Sequence, residues 1–232
     1  MGINMHENIK RFMGEITPPV ILRMVKIAFH SNRKAHSNSG NGREKNSDWY
    51  DTSFEKKNDD WQMHYSESEY YFIWTVIADR IVTSGVKFIL EIGCGPGQLA
   101  CLLRDKGCRG YHGFDFSPKR IERAKRICPD FAFSLQDAFQ TDLFTSLHYD
   151  AVICTEFLEH IEQDIEVLKK IKSGTVFYGT VPNFPFVSHV RYFRSEDEVV
   201  SRYRSCFSEL RVDAFLADGA GKTFYLLEGT IS

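Results

Sequence analysis

From residue 87 onward, short apolar runs alternate with amphipathic stretches, and this alternation predicts the main elements of the fold. The apolar runs predict strands at residues 87–92, 110–115, 131–134, 150–155 and 174–181. The amphipathic stretches predict helices near residues 97–107, 118–127, 139–147 and 160–171. Short apolar strands separated by helices are typical of a parallel sheet that is covered by helices on both faces.

Motifs for helix caps and for a hairpin occur near the two ends of this region. Ser66 with Glu69 three residues later forms a capping box, which predicts a helix from Ser66 to about Gly85. Ser195 and Glu198 form another capping box. At the C-terminal end, the apolar segments FSELRVDAFLA and KTFYLLEGTI flank DGAG, which predicts an antiparallel hairpin. The expected fold is therefore α/β, with a doubly wound, mostly parallel seven-stranded sheet and an antiparallel C-terminal hairpin.

The N-terminal region differs in composition from the rest. After Pro18 and Pro19, residues 18–29 predict a short basic amphipathic helix, and residues 31–47 are polar and aperiodic, as in a linker. Residues 48–65 are rich in aromatic and acidic side chains and suit a cap. We expect the basic helix to dock on its own domain; peripheral contact with a membrane surface through residues 18–29 is the alternative. The predicted division is residues 1–65 for this N-terminal part and 66–232 for the α/β domain.

Charge and cysteine content narrow the function classes. The chain has 232 residues and a net charge of −2, yet residues 1–47 carry eight Lys and Arg against three Glu, so the remainder is acidic. An acidic α/β domain argues against binding to a polyanion. None of the six cysteines forms a C-x-x-C pair, and no apolar segment is long enough for a signal peptide or a membrane span. We therefore expect reduced thiols and a cytoplasmic location, with the inner membrane surface as the peripheral site.

Glycines interrupt the first strand–helix junction in the segment EIGCGPG, from Glu91 to Gly97. Glycine lets a ligand approach the main chain without a Cβ in the way, and the next helix supplies free N–H donors. Asp115 ends the second strand 18 residues after Gly97, where an acid typically accepts hydrogen bonds from a ribose diol. Asp137 follows the third strand. We expect the main chain at residues 93–97 to leave room for a nucleoside cofactor.

Residues 70–232 resemble the class I S-adenosylmethionine-dependent methyltransferases, because EIGCGPG matches their E-x-G-x-G-x-G motif. The resemblance implies a Rossmann-like sheet, S-adenosylmethionine as cofactor, and an enzyme. The contacts that it implies for the cofactor are Glu91, Gly93, Cys94, Gly95, Gly97, Asp115, Phe116, Asp137, Ala138 and Thr155. A nicotinamide-binding fingerprint is the near neighbour, but it needs Gly or Ala where this chain has Gln98.

The segment after the fourth strand contains E-x-x-E-H, formed by Glu156, Glu159 and His160, and His189 follows the fifth strand. We interpret Glu156, His160 and His189 as the candidate catalytic residues, with an imidazole as general base. The four residues together could also bind a divalent ion, as in the small-RNA 2′-O-methyltransferases that they resemble. Metal-independent relatives share the motif, and there the same side chains hold loops around the cofactor. A metal is therefore the less favoured interpretation.

The acceptor is expected to meet the aromatic cap and the loop after the fifth strand. Trp49, Tyr50 and Trp61 in the cap offer faces that suit sugars or flat rings, and Arg191 and Arg194 could hold a phosphate or carboxylate. Together with a weak similarity to methyltransferases of bacterial surface-polysaccharide clusters, this favours O-methylation of a small-molecule, sugar or glycan acceptor. The alternatives are a metal-assisted RNA 2′-O-methyltransferase and a non-catalytic scaffold; nucleic acid is the less expected partner.

Overall fold

The computed structural model describes residues 42–56, 60–218 and 220–232. The predicted basic helix at residues 18–29, with its proposed membrane contact, lies outside these ranges, as does most of the predicted linker. The division at residue 65 therefore stays a prediction. In the described part, no helix has the length and the apolar character that crossing a membrane requires.

Seven strands form one sheet in the order β3-β2-β1-β4-β5-β7-β6. Their bounds are β1 Phe88–Ile92, β2 Gly110–Asp115, β3 Ala132–Leu135, β4 Ala151–Thr155, β5 Val176–Pro182, β6 Phe207–Leu216 and β7 Thr223–Ile231. Strands β1 to β5 pair in parallel, whereas β7 pairs antiparallel with both β5 and β6. The predicted doubly wound sheet with a reversed C-terminal hairpin is confirmed.

Helices cover both faces of the sheet. The described helices are α1 Ser47–Glu55, α2 Tyr71–Ser84, α3 Gln98–Asp105, α4 Pro118–Ile127, α5 Leu143–Ser146, α6 Asp164–Leu168 and α7 Glu196–Tyr203. On one face, Ile77 of α2 and Leu103 of α3 are fully buried with Ile89 of β1. On the other face, Leu168 and Tyr203 are fully buried in a second cluster. The apolar runs form strands because both faces of the sheet are covered and exclude water from them.

The capping box predicted at Ser66 is wrong. The helix begins at Tyr71, and Tyr65–Glu67 is a separate 3₁₀ turn in which the Ser66 hydroxyl bonds to the His64 ring at 2.8 Å. The Glu69 carboxylate bonds to Lys222 instead of the helix start. The distal end agrees with the prediction, because Gly85 follows the helix in the left-handed conformation that terminates helices.

Two other helices are shorter than predicted. Near residues 139–147 only Leu143–Ser146 is helical, because Asp137 directs a turn: its carboxylate accepts from the Phe139 N–H at 2.7 Å. Near residues 160–171 the helix is only Asp164–Leu168. The Glu159 carbonyl accepts from the Val190 N–H at 2.8 Å, so this bond ties the segment to another loop rather than to a helical turn.

Candidate functional site

The carboxyl ends of the parallel strands bring the predicted residues to one edge of the sheet. Glu91 in β1 lies level with Gly113 in β2 and Ile153 in β4, so the three strands end side by side. The glycine turn follows β1, Asp115 ends β2, and Thr155 ends β4. This edge, at the strand order reversal beside β1, is where open α/β sheets bind ligands.

Asp115 fastens the glycine turn to the second strand. Its Oδ2 atom accepts from the Gly95 N–H at 3.0 Å, and its Oδ1 atom accepts from the Ser117 N–H at 2.8 Å. Gly95 has φ of +53°, which favours glycine. The neighbouring Cys94 is buried and its thiol donates to the Gly95 carbonyl, as in packing rather than in a reactive thiol. Burial raises the pKa of Asp115, and the Arg120 charge opposes this rise.

Side chains occupy the space beside the glycine turn at residues 93–97, which the sequence was expected to leave open. We call this space the corner. The Phe157 ring lies so near Gly93 that a Cβ there would come within 2.5 Å of it. The Arg120 guanidinium lies beside Gly95, 3.9 Å from the position of a Cβ. The expectation of a bare corner is therefore wrong for the described conformation. The Arg120 distance is an ordinary van der Waals contact, so the close approach to the turn is that of the Phe157 ring on Gly93.

Helix α1 covers this corner from above. The Tyr50 ring packs 5.4 Å from Phe116 and 6.0 Å from His160, between ring centroids, and lies over the Arg120 guanidinium. Asp51 anchors the helix by accepting from the Ser117 hydroxyl and the Lys119 N–H. The sequence indicated an aromatic cap here. It did not indicate that Asp51 would bind the start of α4.

The other predicted cofactor contacts have the following environments. Glu91 is buried and accepts from the Tyr111 hydroxyl, and burial raises its pKa to about 8. Asp137 holds its own turn, with Ala138 buried beside it. Thr155 is buried at the end of β4. Their contact with a cofactor stays a prediction.

A carboxylate and two imidazoles converge next to this corner. Each of the three residues offers one atom that could bind a metal ion, and these three atoms lie within 4.8 Å of one another. The residues are Glu159, His160 and His189. The His160 Nδ1 atom is 3.0 Å from the Ser188 carbonyl oxygen, and the His189 Nδ1 atom is 3.1 Å from the Phe184 carbonyl oxygen. Since a carbonyl only accepts, each Nδ1 carries the proton, and each Nε2 keeps its lone pair. Burial lowers the pKa of His160 to about 3 and that of His189 to about 4, so both rings are neutral at pH 7.

Glu156 stands beside this cluster rather than in it. The E-x-x-E-H segment is not one continuous helix, because Glu156 adopts φ of +51° and only Leu158–His160 forms a 3₁₀ turn. Its carboxylate accepts from the Thr180 hydroxyl at 3.0 Å. Burial raises the pKa of Glu156 to about 7 and raises that of Glu159 as well. The Glu156 and Glu159 carboxyl groups also act on each other, and in the described part of the chain no other side chain donates to the Glu159 oxygens.

The two arginines after β5 differ in their environments. Arg191 forms a salt bridge with buried Asp164 at 3.2 Å and donates to main-chain carbonyls, so it braces the loop. Arg191 also lines the cavity described next, so its role in binding an acceptor stays a prediction. Arg194 is exposed and lines a cavity of about 310 Å³ together with His189, Tyr192 and Glu198. The cavity and the imidazole cluster thus share His189.

Comparison with known proteins identifies the family of this chain and its fold. A family model described as a methyltransferase domain matches residues 76–208. The N-methyltransferase NodS from Bradyrhizobium japonicum WM9, solved with S-adenosyl-L-homocysteine, has a similar structure at 18% identity. Its TM-score is 0.62, over 81% of this chain and 99% of NodS.

Two further solved structures share the fold. Magnesium protoporphyrin IX methyltransferase (ChlM) from Synechocystis PCC 6803 is 17% identical, with a TM-score of 0.61 over 80% of this chain and 98% of ChlM. The 4+2 cyclase SpnF is 12% identical, with a TM-score of 0.62 over 83% of this chain and 99% of SpnF. Since a cyclase has the same fold, the likeness to these structures describes architecture and not the acceptor.

Proposed function

The chain belongs to the methyltransferase-domain family of class I S-adenosylmethionine-dependent enzymes, and we propose that it methylates a hydroxyl oxygen of a small-molecule or sugar acceptor. The observation that carries this proposal is the meeting of two neutral imidazoles with the glycine turn at one edge of the sheet. A hydroxyl must lose its proton as it is methylated, and neutral imidazoles can accept it.

The residues of the corner fit the cofactor. Gly95 and Gly97 have φ values of +53° and +84°, which favour glycine, so at these two positions the turn has no Cβ over its main chain. Asp115 uses one lone pair on each oxygen for backbone N–H groups, and each oxygen retains capacity for a ribose hydroxyl. When bound, S-adenosylmethionine supplies an electrophilic methyl group. Phe116 and the Asp137–Ala138 turn flank the position expected for the base.

His189 and His160 would orient and deprotonate the acceptor. The backbone carbonyls of Phe184 and Ser188 fix the tautomers of both rings, so each Nε2 lone pair has a defined direction. The centroids of the two rings are 4.8 Å apart, and one acceptor hydroxyl can reach either ring. Glu156, held by Thr180, would contribute a hydrogen-bonding carboxyl group whose charge depends on pH near 7.

The cavity beside His189 supports a small acceptor. Its volume of about 310 Å³ is at the lower end for small-molecule sites, which accords with a sugar or a comparable ring. Tyr192 offers an aromatic face, and exposed Arg194 can bind an anionic substituent. Extended RNA accords less well with the acidic charge of residues 48–232.

Methyl transfer from labelled S-adenosylmethionine to small-molecule, glycan and RNA fractions tests this proposal. We expect label in the small-molecule or glycan fraction, and a drop of about 10²–10⁴-fold in kcat for His189→Asn with unchanged cofactor affinity. His148→Asn is the matched control, because His148 is exposed and is not a member of the cluster. Label confined to RNA, or full activity in His189→Asn, would refute the assignment.

A second candidate is metal-assisted transfer, which the carboxylate Glu159 favours. Both of its oxygens are buried without a hydrogen-bonded donor in the described ranges, and its Oε1 atom lies 3.8 Å from the His160 Nε2 atom. Histidines whose Nδ1–H groups bond to carbonyls are oriented as metal ligands usually are. A divalent ion held by Glu159, His160 and His189 would polarise the acceptor hydroxyl.

Chelator treatment separates these two candidates. Under the metal-assisted mechanism, activity is lost in chelator and returns with Mg²⁺ or Mn²⁺, and Glu159→Gln abolishes that return. Full activity in chelator leaves proton transfer by the imidazoles as the mechanism.

A further inference from the structure

Arg120 is a buried cation at the mouth of the glycine turn. It lies in the first turn of α4, only 9% exposed, with its guanidinium 5.0 Å from the Tyr50 ring centroid and 5.4 Å from that of Trp61. Its Nη1 atom lies 3.9 Å from the point where a Cβ on Gly95 would stand. The side chain is therefore directed into the predicted cofactor corner rather than toward solvent.

In the described part of the chain the Arg120 guanidinium is short of hydrogen-bond partners, although the Asp115 charge acts on it. Among the residues that the structure describes, no carboxylate forms a salt bridge with Arg120, and its Nε atom has no hydrogen-bond partner. Asp115 is near, but its two oxygens accept from backbone N–H groups instead. A buried charge without a hydrogen-bonded counter-ion is costly, so such a group points to a ligand that completes it.

The position of Arg120 in its helix supports the same conclusion. The first turn of α4 contains no acidic residue and has Lys119 and Arg120 instead. Cations are disfavoured at a helix N-terminus, because the free N–H groups there already carry positive potential. By contrast, Arg191 elsewhere in the chain is fully engaged by Asp164 and main-chain carbonyls. Arg120 thus adds to a positive region that an anion would stabilise.

We propose that Arg120 binds the carboxylate at the amino-acid end of S-adenosylmethionine. This inference rests on the proposed function and names a recognition residue for its cofactor. The carboxylate is the only anionic group of that molecule, and the guanidinium fork matches a carboxylate with two parallel N–H···O bonds. Tyr50 and Trp61 pack against the guanidinium and hold its position.

Calorimetric titration of the full chain with two ligands tests the assignment. S-adenosyl-L-homocysteine carries the carboxylate; its decarboxylated analogue keeps the nucleoside, the thioether and the amine. For Arg120→Gln we expect about 10–100-fold weaker binding of S-adenosyl-L-homocysteine, and less than twofold change for the analogue. Arg126→Gln is the matched control, since Arg126 is exposed on the same helix and, within the described ranges, its salt bridge is to Glu122. It should change neither affinity.

Two other results would contradict the assignment of Arg120 to the carboxylate. Equal losses for both ligands would mean that Arg120 supports the nucleoside site or the fold, and no loss would mean that it does not bind the cofactor. Either result overturns the inference. If Arg120→Gln unfolds, Arg120→Lys keeps the charge without the fork, and it should still weaken only the carboxylate ligand. Failure of the wild-type chain to bind either ligand would instead refute the proposed function.

Discussion

Replacing Asp164 with alanine should destabilise the protein severely. The Asp164 carboxylate is 1% exposed and binds four donors from two other segments. Arg202 donates twice, at 2.8 and 2.7 Å, the Tyr203 hydroxyl donates at 2.8 Å, and the Arg191 Nη1 atom lies 3.2 Å away. Arg191 also donates to the Leu158 and Ile161 carbonyls, so Asp164 indirectly holds the turn that carries Glu159 and His160.

The expected loss in the free energy of unfolding follows from the buried groups that Asp164→Ala leaves without a partner. Removing one partner of a buried ion pair costs about 3–5 kcal/mol, because the remaining charge stays buried. The Tyr203 hydroxyl, fully buried, is part of that cost, since a buried donor left without an acceptor costs about 1–3 kcal/mol. Asp164→Asn keeps the volume and one acceptor for Tyr203 but loses the charge. Its free energy of unfolding should lie between those of the wild type and Asp164→Ala.

Urea denaturation at constant m-value measures these differences. The alanine variant should lose about 3–5 kcal/mol in the free energy of unfolding, which lowers the midpoint by about 1–3 M. Asp130→Ala is the control, because Asp130 is 68% exposed and lies 3.8 Å from Arg104, so about 1 kcal/mol or less is expected. A loss below 1 kcal/mol for Asp164→Ala, with m unchanged, would refute the reasoning.

Three further predictions concern the glycine turn and the cap. Asp115→Ala should weaken S-adenosyl-L-homocysteine binding by about 1–3 kcal/mol through lost hydrogen bonds to a charged group, and an unchanged calorimetric affinity would count against the ribose assignment. Gly95→Val should abolish that binding while circular dichroism still reports a folded chain, because a β-branched residue is strained at φ of +53°; retained binding would contradict it. Asp51→Ala should cost about 1 kcal/mol and shift the fluorescence of Trp49 and Trp61 to the red, because helix α1 loses its bonds to α4; an unchanged spectrum argues that other contacts hold the cap.

The sheet and the glycine turn could be predicted from the sequence because both depend on residues that are close together in the chain. Strands buried on both faces need continuous apolar runs, and Gly95 needs a left-handed conformation, so both leave a visible trace in the chain. The position of Asp115 at the end of β2 was confirmed in the same way. Each of these features depends on near neighbours in the sequence.

Two of the errors arose where distant residues decide the local structure. Ser66 and Glu69 have the spacing of a capping box, but Lys222 binds Glu69 from a segment about 150 residues away. The helix predicted at residues 160–171 yields to the bond between Glu159 and Val190. Periodicity contains no information about such contacts, so it extends helices too far.

Arg120 and Asp164 were missed for different reasons. A cation in the first turn of a helix that follows Asp115 is against the usual preference, and this signal was visible in the sequence. Asp164 gave no such signal, since one acid among several after E-x-x-E-H reads as a solvated surface. Only the fold brings Arg191, Arg202 and Tyr203 to it.

Calorimetric titration of the wild-type chain with S-adenosyl-L-homocysteine tests the central claim most directly, because it needs no knowledge of the acceptor. The account predicts saturable binding of one molecule per chain, through the turn at residues 93–97 and the Asp115 carboxylate. A folded protein that gives no binding heat and no thermal stabilisation at millimolar ligand would contradict it.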